Sequence, residues 1–472
     1  MASAAAVSAT TASSPGYDLI ESLLALNGRR LPAATVEAAR LRLLDCLGCG
    51  IFGAQFEWTE ILAAFALDDA PSGVATLLGS DRRTSPSRAA LCNGTSIHGY
   101  ELDDILPGSL AHPGAPVAAA ALAVAEQIDA PVERLLCGLV AGYEIIARLG
   151  DALGTSHNDR GFHTTGVTGP IAAAVAASVV AGASINGTLR AVGLAASFSS
   201  GIKAFTQGTG GMVKRLHAGR AAESGVLAFE IAARGFTAPL RALDGRFGLL
   251  EVFAGTNARP DALSEGIGGA WAIERVWTKV YPSCGLLHTA AEAVENIRRD
   301  TGASAADVHA IRIGLGRRAI AQNGDPNPTD TITAQYSIPF SAALAMAGDA
   351  KDPEAYGPGR IYDPTVRALI GRIELHVDPE VDAAYPAMFA ADVEIELRDG
   401  ARHRSVVWNV HGTPESPCDE AELEAKFDRL TRGRIDGVTA RDVLDGLRQA
   451  SASVRDLQGT LRAATARAAA HD

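Results

Sequence analysis

The chain has 472 residues, 47% of them hydrophobic and 20% charged, with a formal net charge of −12. This length exceeds what one ordinary hydrophobic core holds, so the sequence predicts two domains. The acidic balance argues against a nucleic-acid partner, because phosphate binding needs a cationic face. The six cysteines are scattered along the chain, unlike the dense framework of a small disulfide-stabilised domain.

The N-terminal segment 1–16 contains no lysine or arginine and no leucine-rich core. We therefore expect a disordered leader instead of a secretory signal, and a cytoplasmic protein. Further along, Cys46 and Cys49 form a C-x-x-C motif inside a predicted helix over 35–53. Because no second cysteine pair and no histidine at zinc spacing accompany the motif, buried thiols are expected and no metal site is predicted.

Helical periodicity dominates the chain from Tyr17 to about Pro260. It predicts helices over residues 36–49, 87–100, 116–127, 132–153, 169–183, 185–197 and 220–234. The stretch 169–185 is apolar enough to raise the question of a membrane span, but it is slightly short and consists mostly of Ala, Val and Gly. We therefore expect a helix buried among other helices, and no membrane association.

After Gly268 apolar and polar residues alternate, which is typical of strands. Strands are predicted over 308–315, 372–377, 391–397 and 403–410, with a hairpin turn at 398–401 and helices between the strands. Beyond Pro417 the chain becomes helical again. The sequence thus predicts a mainly α protein, with an all-α domain built from both chain ends (17–268 and 413–472) and a smaller α+β domain (269–412).

Five stretches place reactive side chains at the ends of apolar helices: 93–104 with the nearby His-Pro pair at 112–113, 161–169, 210–224, 279–288 and 334–340. The third places Lys214, Arg215 and His217 where a glycine-rich loop runs into a helix, a position that favours an anion. Each of these residues also has a structural interpretation, as a helix cap, part of a solvated loop or a core histidine.

The chain contains no G-x-S-x-G, P-loop, H-E-x-x-H or dinucleotide-binding motif, which argues against serine hydrolases, ATPases and zinc proteases. A set of His, Lys and Asp around an anion site suits removal of a carbon-bound proton next to a carboxylate. Dehydration, decarboxylation and epimerisation all share that first step.

Six motifs follow one another along the chain: DCLGCGIFG (45–53), NGTSIHGYELDD (93–104) with a later HPG, GFHTTGVTGP (161–170), VKRLHAGRAAESG (213–225), KVYPSCGLLHTAAEA (279–293) and YSIPFSAALA (336–345). Through them the chain resembles the MmgE/PrpD family, which includes 2-methylcitrate dehydratases and cis-aconitate decarboxylases. The resemblance implies an all-α domain and an α+β lid domain. It also implies a homodimer, and a pocket between the domains that works without metal or cofactor.

Nine site residues are expected in these motifs: His163, His112, Lys214 and Asp104 as catalytic residues, and Lys279, Glu101, Arg215, Cys284 and Phe340 as substrate-binding residues. The resemblance itself implies six of them, because Arg215, Cys284 and Phe340 are not carried over from the family. Of the nine, His163 and His112 are expected to transfer protons. Lys214, helped by Arg215 or Lys279, is expected to hold substrate carboxylates. Asp104 is expected to orient a histidine or bind the leaving hydroxyl.

Two residues close to Lys214 have an alternative structural interpretation. Arg215 either binds substrate or faces solvent. His217 is expected to support the start of its helix instead of reaching substrate.

Two positions depart from the pattern of the family. Ile105 follows the acidic pair where many members have Thr, and Cys284 stands where the decarboxylases have His. Because a polar group is lost and a proton donor changed, the expected activity is that of a cofactor-independent lyase similar to 2-methylcitrate dehydratase. The alternatives are an epimerase of a dicarboxylate such as an iminodicarboxylate, a cis-aconitate decarboxylase, or a carboxylate-binding protein without catalysis.

Overall fold

The computed structural model describes residues 13–106, 108–206, 212–385 and 388–470. Within these ranges the chain is mainly helical with few strands, which confirms the predicted fold class. The chain divides into two units. The first comprises Met1–Gly99, Asp103–Val276 and Asp419–Asp472, and the second comprises Tyr100–Leu102 and Trp277–Cys418.

These boundaries lie later in the chain than residues 268 and 412, where the sequence pattern changes. The segment around Ala272 stays with the first unit, because its amide donates a 2.8 Å hydrogen bond to the buried Glu144 carboxylate. Gly412 stays with the second unit, since its carbonyl accepts a 2.9 Å bond from the Thr278 amide. Bonds between residues so distant in sequence leave no mark on local periodicity.

The first unit is built from helices at both ends of the chain. They are Pro15–Leu24, Ala33–Gly53, Glu57–Asp69, Pro86–His98, Gly114–Ile128, Val132–Leu153, Ser156–Asp159, Thr164–Ala181, Ile185–Ser197, Val213–Ala233, Leu249–Ala254, Glu420–Thr431, Ala440–Arg448 and Val454–Ala469. A short antiparallel pair, Ala75–Thr76 with Arg83–Thr84, accompanies them.

The first of these helices begins within the predicted leader. Its start is capped by Ser14, whose side chain accepts a hydrogen bond from the Tyr17 amide. The predicted leader 1–16 is therefore wrong for Pro15 and Gly16, and residues 1–12 lie outside the described residues.

Three apolar helices form the centre of this unit: Gly114–Ile128, Val132–Leu153 and Thr164–Ala181. Small residues let them approach closely, since a Cβ added to Gly138 would lie 2.5 Å from the Val180 side chain. Thr164–Ala181 is long and apolar enough to cross a membrane, but 94% of it is buried inside the protein. It is a core helix of this unit, as the sequence predicts.

The C-terminal helix Glu420–Thr431 packs on the long helix Ala33–Gly53, where a buried ion pair joins Lys426 Nζ to Asp45 Oδ1 at 2.6 Å. Cys46 and Cys49 are buried in the same long helix. Burial raises the pKa of both thiols well above their usual value, which keeps them protonated and unreactive. The interpretation of the C-x-x-C motif as buried thiols is therefore confirmed.

The second unit contains a four-stranded sheet in the order Ile373–Val377, Val308–Leu315, Ala391–Leu397, Arg402–Val407. The first pair is parallel and the other two are antiparallel. The predicted hairpin between the last two strands is confirmed, with Gly400 at a φ of +89°. The helices of the unit are Gly285–Thr301, Arg317–Asn323, Thr331–Gln335, Ile338–Ala347, Pro358–Ile361, Pro364–Ile370 and Pro379–Ala384.

Candidate functional site

Four histidines and one aspartate of the first unit lie side by side, and we call them the histidine cluster: His98, Asp103, His112, His163 and His217. They come from different parts of the chain. His98 is the last residue of helix Pro86–His98, and His163 directly precedes helix Thr164–Ala181. Ring centroids are 4.6 Å apart for His98 and His112, 6.0 Å for His98 and His163, and 5.2 Å for His163 and His217.

Asp103 joins two of the rings through one carboxylate oxygen. Its Oδ2 lies 2.7 Å from His98 Nδ1 and 3.3 Å from His112 Nδ1. Burial opposes ionisation of this carboxyl, but the charges and hydrogen bonds of the two histidines outweigh it and hold its pKa well below the usual range. Asp103 is therefore a buried carboxylate that contacts both rings and can fix their orientation.

The buried polar atoms without a hydrogen-bond partner among the described residues include His98 Nε2 and Asp103 Oδ1 of this group. An unpaired buried polar atom costs about 1–3 kcal/mol, so such atoms call for a ligand or a water molecule. Their presence in the cluster marks it as a place where a polar ligand would be stabilised.

His163 and His217 form a direct pair, with 3.0 Å between their Nδ1 atoms. The ring of Phe205 stands edge-on to both, at centroid distances of 5.6 and 5.7 Å. Burial, then the positive charge of Lys214, holds the pKa of His163 well below its usual value. Burial, His98 and Lys214 lower the pKa of His217 to about 4. Both rings are therefore neutral at physiological pH.

Lys214 is half-buried at the second position of helix Val213–Ala233. A cation is disfavoured at a helix N-terminus, where the dipole is itself positive and free N–H groups await an acceptor. The first turn of this helix contains no acidic residue. The arrangement suits a negatively charged ligand, as the sequence suggests, although the glycine-rich loop 207–211 before it lies outside the described residues.

Asp104 points away from these histidines. Its Oδ2 accepts a 2.6 Å hydrogen bond from the Tyr143 hydroxyl and its Oδ1 a 2.9 Å bond from the Gly114 amide. Burial raises its pKa to about 7 against the effect of the Tyr143 bond, and the Asp103 charge adds to the rise. The carboxylate that orients the histidines is thus Asp103, and Asp104 is a carboxyl group that titrates near neutral pH.

Arg215 and His217 have surroundings that the sequence did not suggest. Arg215 is only 4% exposed, so the alternative that it faces solvent is wrong. Its Nε donates a 2.6 Å bond to the Gly99 carbonyl, and its guanidinium lies 3.9 Å from the centroid of the Trp58 ring. His217 was expected only to support the helix start, but its Nδ1 lies 3.0 Å from the Nδ1 of His163.

The predicted substrate-binding residues of the second unit include a buried ion pair. Lys279 Nζ lies 3.1 Å from Glu101 Oε2, and the Tyr336 hydroxyl donates a 3.1 Å bond to Glu101 Oε1. Glu101 has a φ of +57°, in the left-handed region that only glycine adopts readily. Such strain is found most often at functional sites.

Cys284 and Phe340 belong to the same unit. Cys284 is half-buried directly before helix Gly285–Thr301, and its amide donates a 2.9 Å bond to the Gln335 carbonyl. Phe340 is fully buried and stands edge-on to the Tyr356 ring at 5.8 Å. The structure therefore gives Phe340 a packing role in the core of this unit.

Part of the cluster also has the composition of a metal site. Donor atoms of His98, Asp103 and His112 lie within 4.8 Å of one another, and two imidazoles with a carboxylate form a set that divalent transition metals accept. In the structure, however, both histidine nitrogens face the same carboxylate oxygen at the distances of hydrogen-bonded or ion pairs. The expectation of a metal-free site stays a prediction.

Sequence reasoning did not single out His98 and Asp103 as site residues, although both lie in the 93–104 motif. His98 ends its helix and Asp103 follows five residues later, in the loop that the helix leads into. That His-x-x-x-x-Asp spacing across a helix end is the sequence signal that could have identified the two residues. The structure brings the predicted His112 and His163 together with them, and Lys214 close enough to lower the pKa of His163.

Comparison with known proteins identifies the family. The MmgE/PrpD N-terminal domain matches residues 18–260 and the MmgE/PrpD C-terminal domain residues 281–446. A cis-aconitate decarboxylase-like protein, oryM, of Aspergillus oryzae is 28% identical, over 86% of this chain and 88% of its own length. The cis-aconitate decarboxylases of Aspergillus terreus and Homo sapiens are each 25% identical, over 88% and 90% of this chain and 89% and 88% of their own lengths. The chain belongs to the MmgE/PrpD family.

Proposed function

We propose that this protein is a cofactor-independent lyase for a small di- or tricarboxylate, and that it dehydrates a substrate of the 2-methylcitrate type. The observation that carries the proposal is the histidine cluster with Lys214 beside it. There the buried neutral ring of His163 lies near Lys214, a cation at the start of a helix. Relatives named as decarboxylases of cis-aconitate, a tricarboxylate, support the substrate class.

His163 is the base in this proposal. A histidine whose pKa is held well below its usual value is unprotonated at neutral pH and free to accept a proton. It takes the proton from the carbon next to a substrate carboxylate, and the electron pair of the broken C–H bond moves towards that carboxylate. Lys214, at the positive end of its helix, stabilises the negative charge that forms.

His112 is the acid. The Asp103 carboxylate, 3.3 Å from His112 Nδ1, is placed to stabilise a positive charge on that ring, whereas burial and then Lys214 favour the neutral ring of His163. When the surroundings of two histidines favour opposite protonation states, one can act as the acid and the other as the base. Protonated His112 gives its proton to the hydroxyl as the C–O bond breaks, so the products are water and an unsaturated acid.

Decarboxylation is the second candidate. In its favour, cis-aconitate decarboxylases of two organisms align with 88–90% of this chain. Against it, Cys284 stands where the decarboxylases of the family have a histidine. The two reactions leave different products, since decarboxylation releases carbon dioxide and dehydration does not.

The experiment is a proton-NMR screen of 2-methylcitrate, citrate, cis-aconitate and iminodicarboxylates with the wild type and with the His163→Gln and Lys214→Gln variants. We expect one tricarboxylate to lose water. We expect each variant to slow that reaction by about a hundredfold or more, the usual contribution of a positioned acid–base group.

His157→Gln is the matched control. His157 is another buried histidine, with a pKa lowered to about 4, but its Nε2 faces Thr164 Oγ1 at 2.9 Å outside the cluster. This variant should retain the wild-type rate. Folded His163→Gln and Lys214→Gln proteins working at the wild-type rate would contradict the proposal, and carbon dioxide release would establish the second candidate.

A further inference from the structure

The Nδ1–Nδ1 contact of His163 and His217 has a consequence for where their protons lie. Each neutral imidazole has one N–H and one bare nitrogen, so at 3.0 Å one Nδ1 must donate and the other must accept. If His163 is to accept a substrate proton, its free nitrogen must be Nε2. Its Nδ1 then carries the hydrogen, and His217 Nδ1 accepts it while the His217 proton sits on Nε2.

The two rings differ in their access to solvent. His163 is buried, whereas His217 is half-buried. The backbone amide of His163 is held by the Gly201 carbonyl at 2.8 Å, and Phe205 covers an edge of both rings. His163 is therefore held in place and shielded from water, and His217 is the more exposed member of the pair.

A proton on His163 would be unfavourable to keep. The ring is desolvated, and the cation Lys214 and three other histidines of the cluster surround it. Charge that moves onto the neighbouring ring is closer to water, where it is better solvated. A base in these surroundings needs a route by which its proton leaves during each turnover.

We propose that His217 is a proton relay for His163, which connects the buried base with solvent. When His163 Nε2 takes the substrate proton, the hydrogen on His163 Nδ1 passes to His217 Nδ1, and His217 releases its Nε2 proton to water. After product has left, His217 Nε2 takes a proton from water and the hydrogen on His217 Nδ1 returns to His163 Nδ1. His163 Nε2 then gives its proton to a water molecule in the emptied site. The net result is one proton moved from substrate to solvent, and His112 takes one proton back from solvent, so the dehydration itself releases none.

This inference rests on the proposed function, because it takes His163 to be the base. His217 acts through His163 and not on the substrate itself. Two substitutions separate orientation from relay. His217→Gln keeps a hydrogen-bond acceptor for His163 but cannot carry a proton, while His217→Ala leaves space that an imidazole molecule from the buffer can enter.

The kinetic test measures kcat and KM of these variants on the tricarboxylate found by the screen, starting with 2-methylcitrate, at increasing imidazole concentration. We expect His217→Gln to lower kcat by about tenfold to a hundredfold, at or below the usual range for an acid–base group, with KM little changed. Imidazole should restore His217→Ala with saturation, and should leave the wild type, His157→Gln and His163→Gln unaffected. A wild-type kcat in His217→Gln, or no rescue of His217→Ala, would overturn the relay.

The outcomes distinguish failure of the proposed function from failure of the relay. If His163→Gln works at the wild-type rate, the proposed function itself fails. If His163→Gln is inactive while His217→Gln is normal, only the relay fails.

A measurement on the resting protein needs no substrate. Nitrogen-15 NMR of the histidine-labelled full chain, assigned with the variants, should find His163 Nδ1 protonated and His217 Nδ1 bare. A bare His163 Nδ1, or a protonated His217 Nδ1, would exclude the relay.

Discussion

Replacing Asp104 by asparagine tests whether burial dominates the ionisation of this carboxyl. In the folded protein the pKa of Asp104 is about 7, against an ordinary value of 3.8. A folded-state pKa above the unfolded one adds stability that is fully present below pH 3.8 and is lost as the pH rises to about 7. The asparagine amide does not titrate in this range, so the variant lacks this dependence.

The magnitude follows from the separation of the two pKa values. From 3.8 to about 7, at roughly 1.4 kcal/mol per unit, the contribution amounts to about 4 kcal/mol. The histidines have the opposite sign, because a pKa lowered to about 4, as for His217, loses stability as the pH falls below 6.5. Both proteins contain those histidines, so their contributions cancel in the difference between wild type and variant.

The assay is urea denaturation of wild type and Asp104→Asn between pH 4 and pH 8, followed by tryptophan fluorescence. We expect the free energy of unfolding of the wild type, minus that of the variant, to fall by about 4 kcal/mol over this range and to level off above pH 7. Infrared spectroscopy at pH 6 should detect a protonated carboxyl that the variant lacks. A difference that stays constant with pH would refute the reasoning, since it would mean that the Tyr143 and Gly114 hydrogen bonds outweigh burial.

Three further predictions concern the neighbouring residues and the metal question. Lys279→Met should lower the free energy of unfolding by about 3–5 kcal/mol, because it leaves buried Glu101 without its cation. Adding Glu101→Gln in the same chain should recover much of the loss. An unchanged urea midpoint in the single variant would contradict this. Arg215→Ala should lower the free energy of unfolding by about 2–3 kcal/mol, because the hydrogen bond to Gly99 and the contact with Trp58 are lost. Arg215→Lys should restore only part of that stability. Full restoration by lysine would mean that charge alone matters. Dialysis against EDTA should leave activity unchanged and elemental analysis should find no stoichiometric metal, while loss of activity that zinc or iron restores would assign the histidine cluster to a metal.

Local patterns of the sequence predicted much of the fold. The strands Val308–Leu315 and Ala391–Leu397 begin and end where the alternation of apolar and polar residues does. The buried helix Thr164–Ala181 followed from its small apolar residues. The last strand is predicted to extend to residue 410 but ends at Val407, since the pairing with Ala391–Leu397 stops there.

The site was only partly predictable, because its contacts join residues far apart in sequence. His163 and His217 were each visible as histidines at helix starts, but they are 54 positions apart in the sequence, and their pairing depends on how the two helices pack together. The pKa of Asp104 depends on its burial, which raises it, and on the hydrogen bond from Tyr143 in helix Val132–Leu153, which lowers it. The burial of Arg215 likewise depends on Trp58, which no periodicity in the 210–224 stretch reveals.

The most direct test of the central claim compares wild type and His163→Gln on 2-methylcitrate with deuterium on the carbon that loses its proton. We predict that the wild type dehydrates this compound more slowly than the unlabelled one, because the C–H bond breaks in the step that His163 performs. The His163→Gln variant, shown to be folded, should turn over neither compound at a comparable rate. Wild-type turnover by His163→Gln with the same isotope effect would contradict the account.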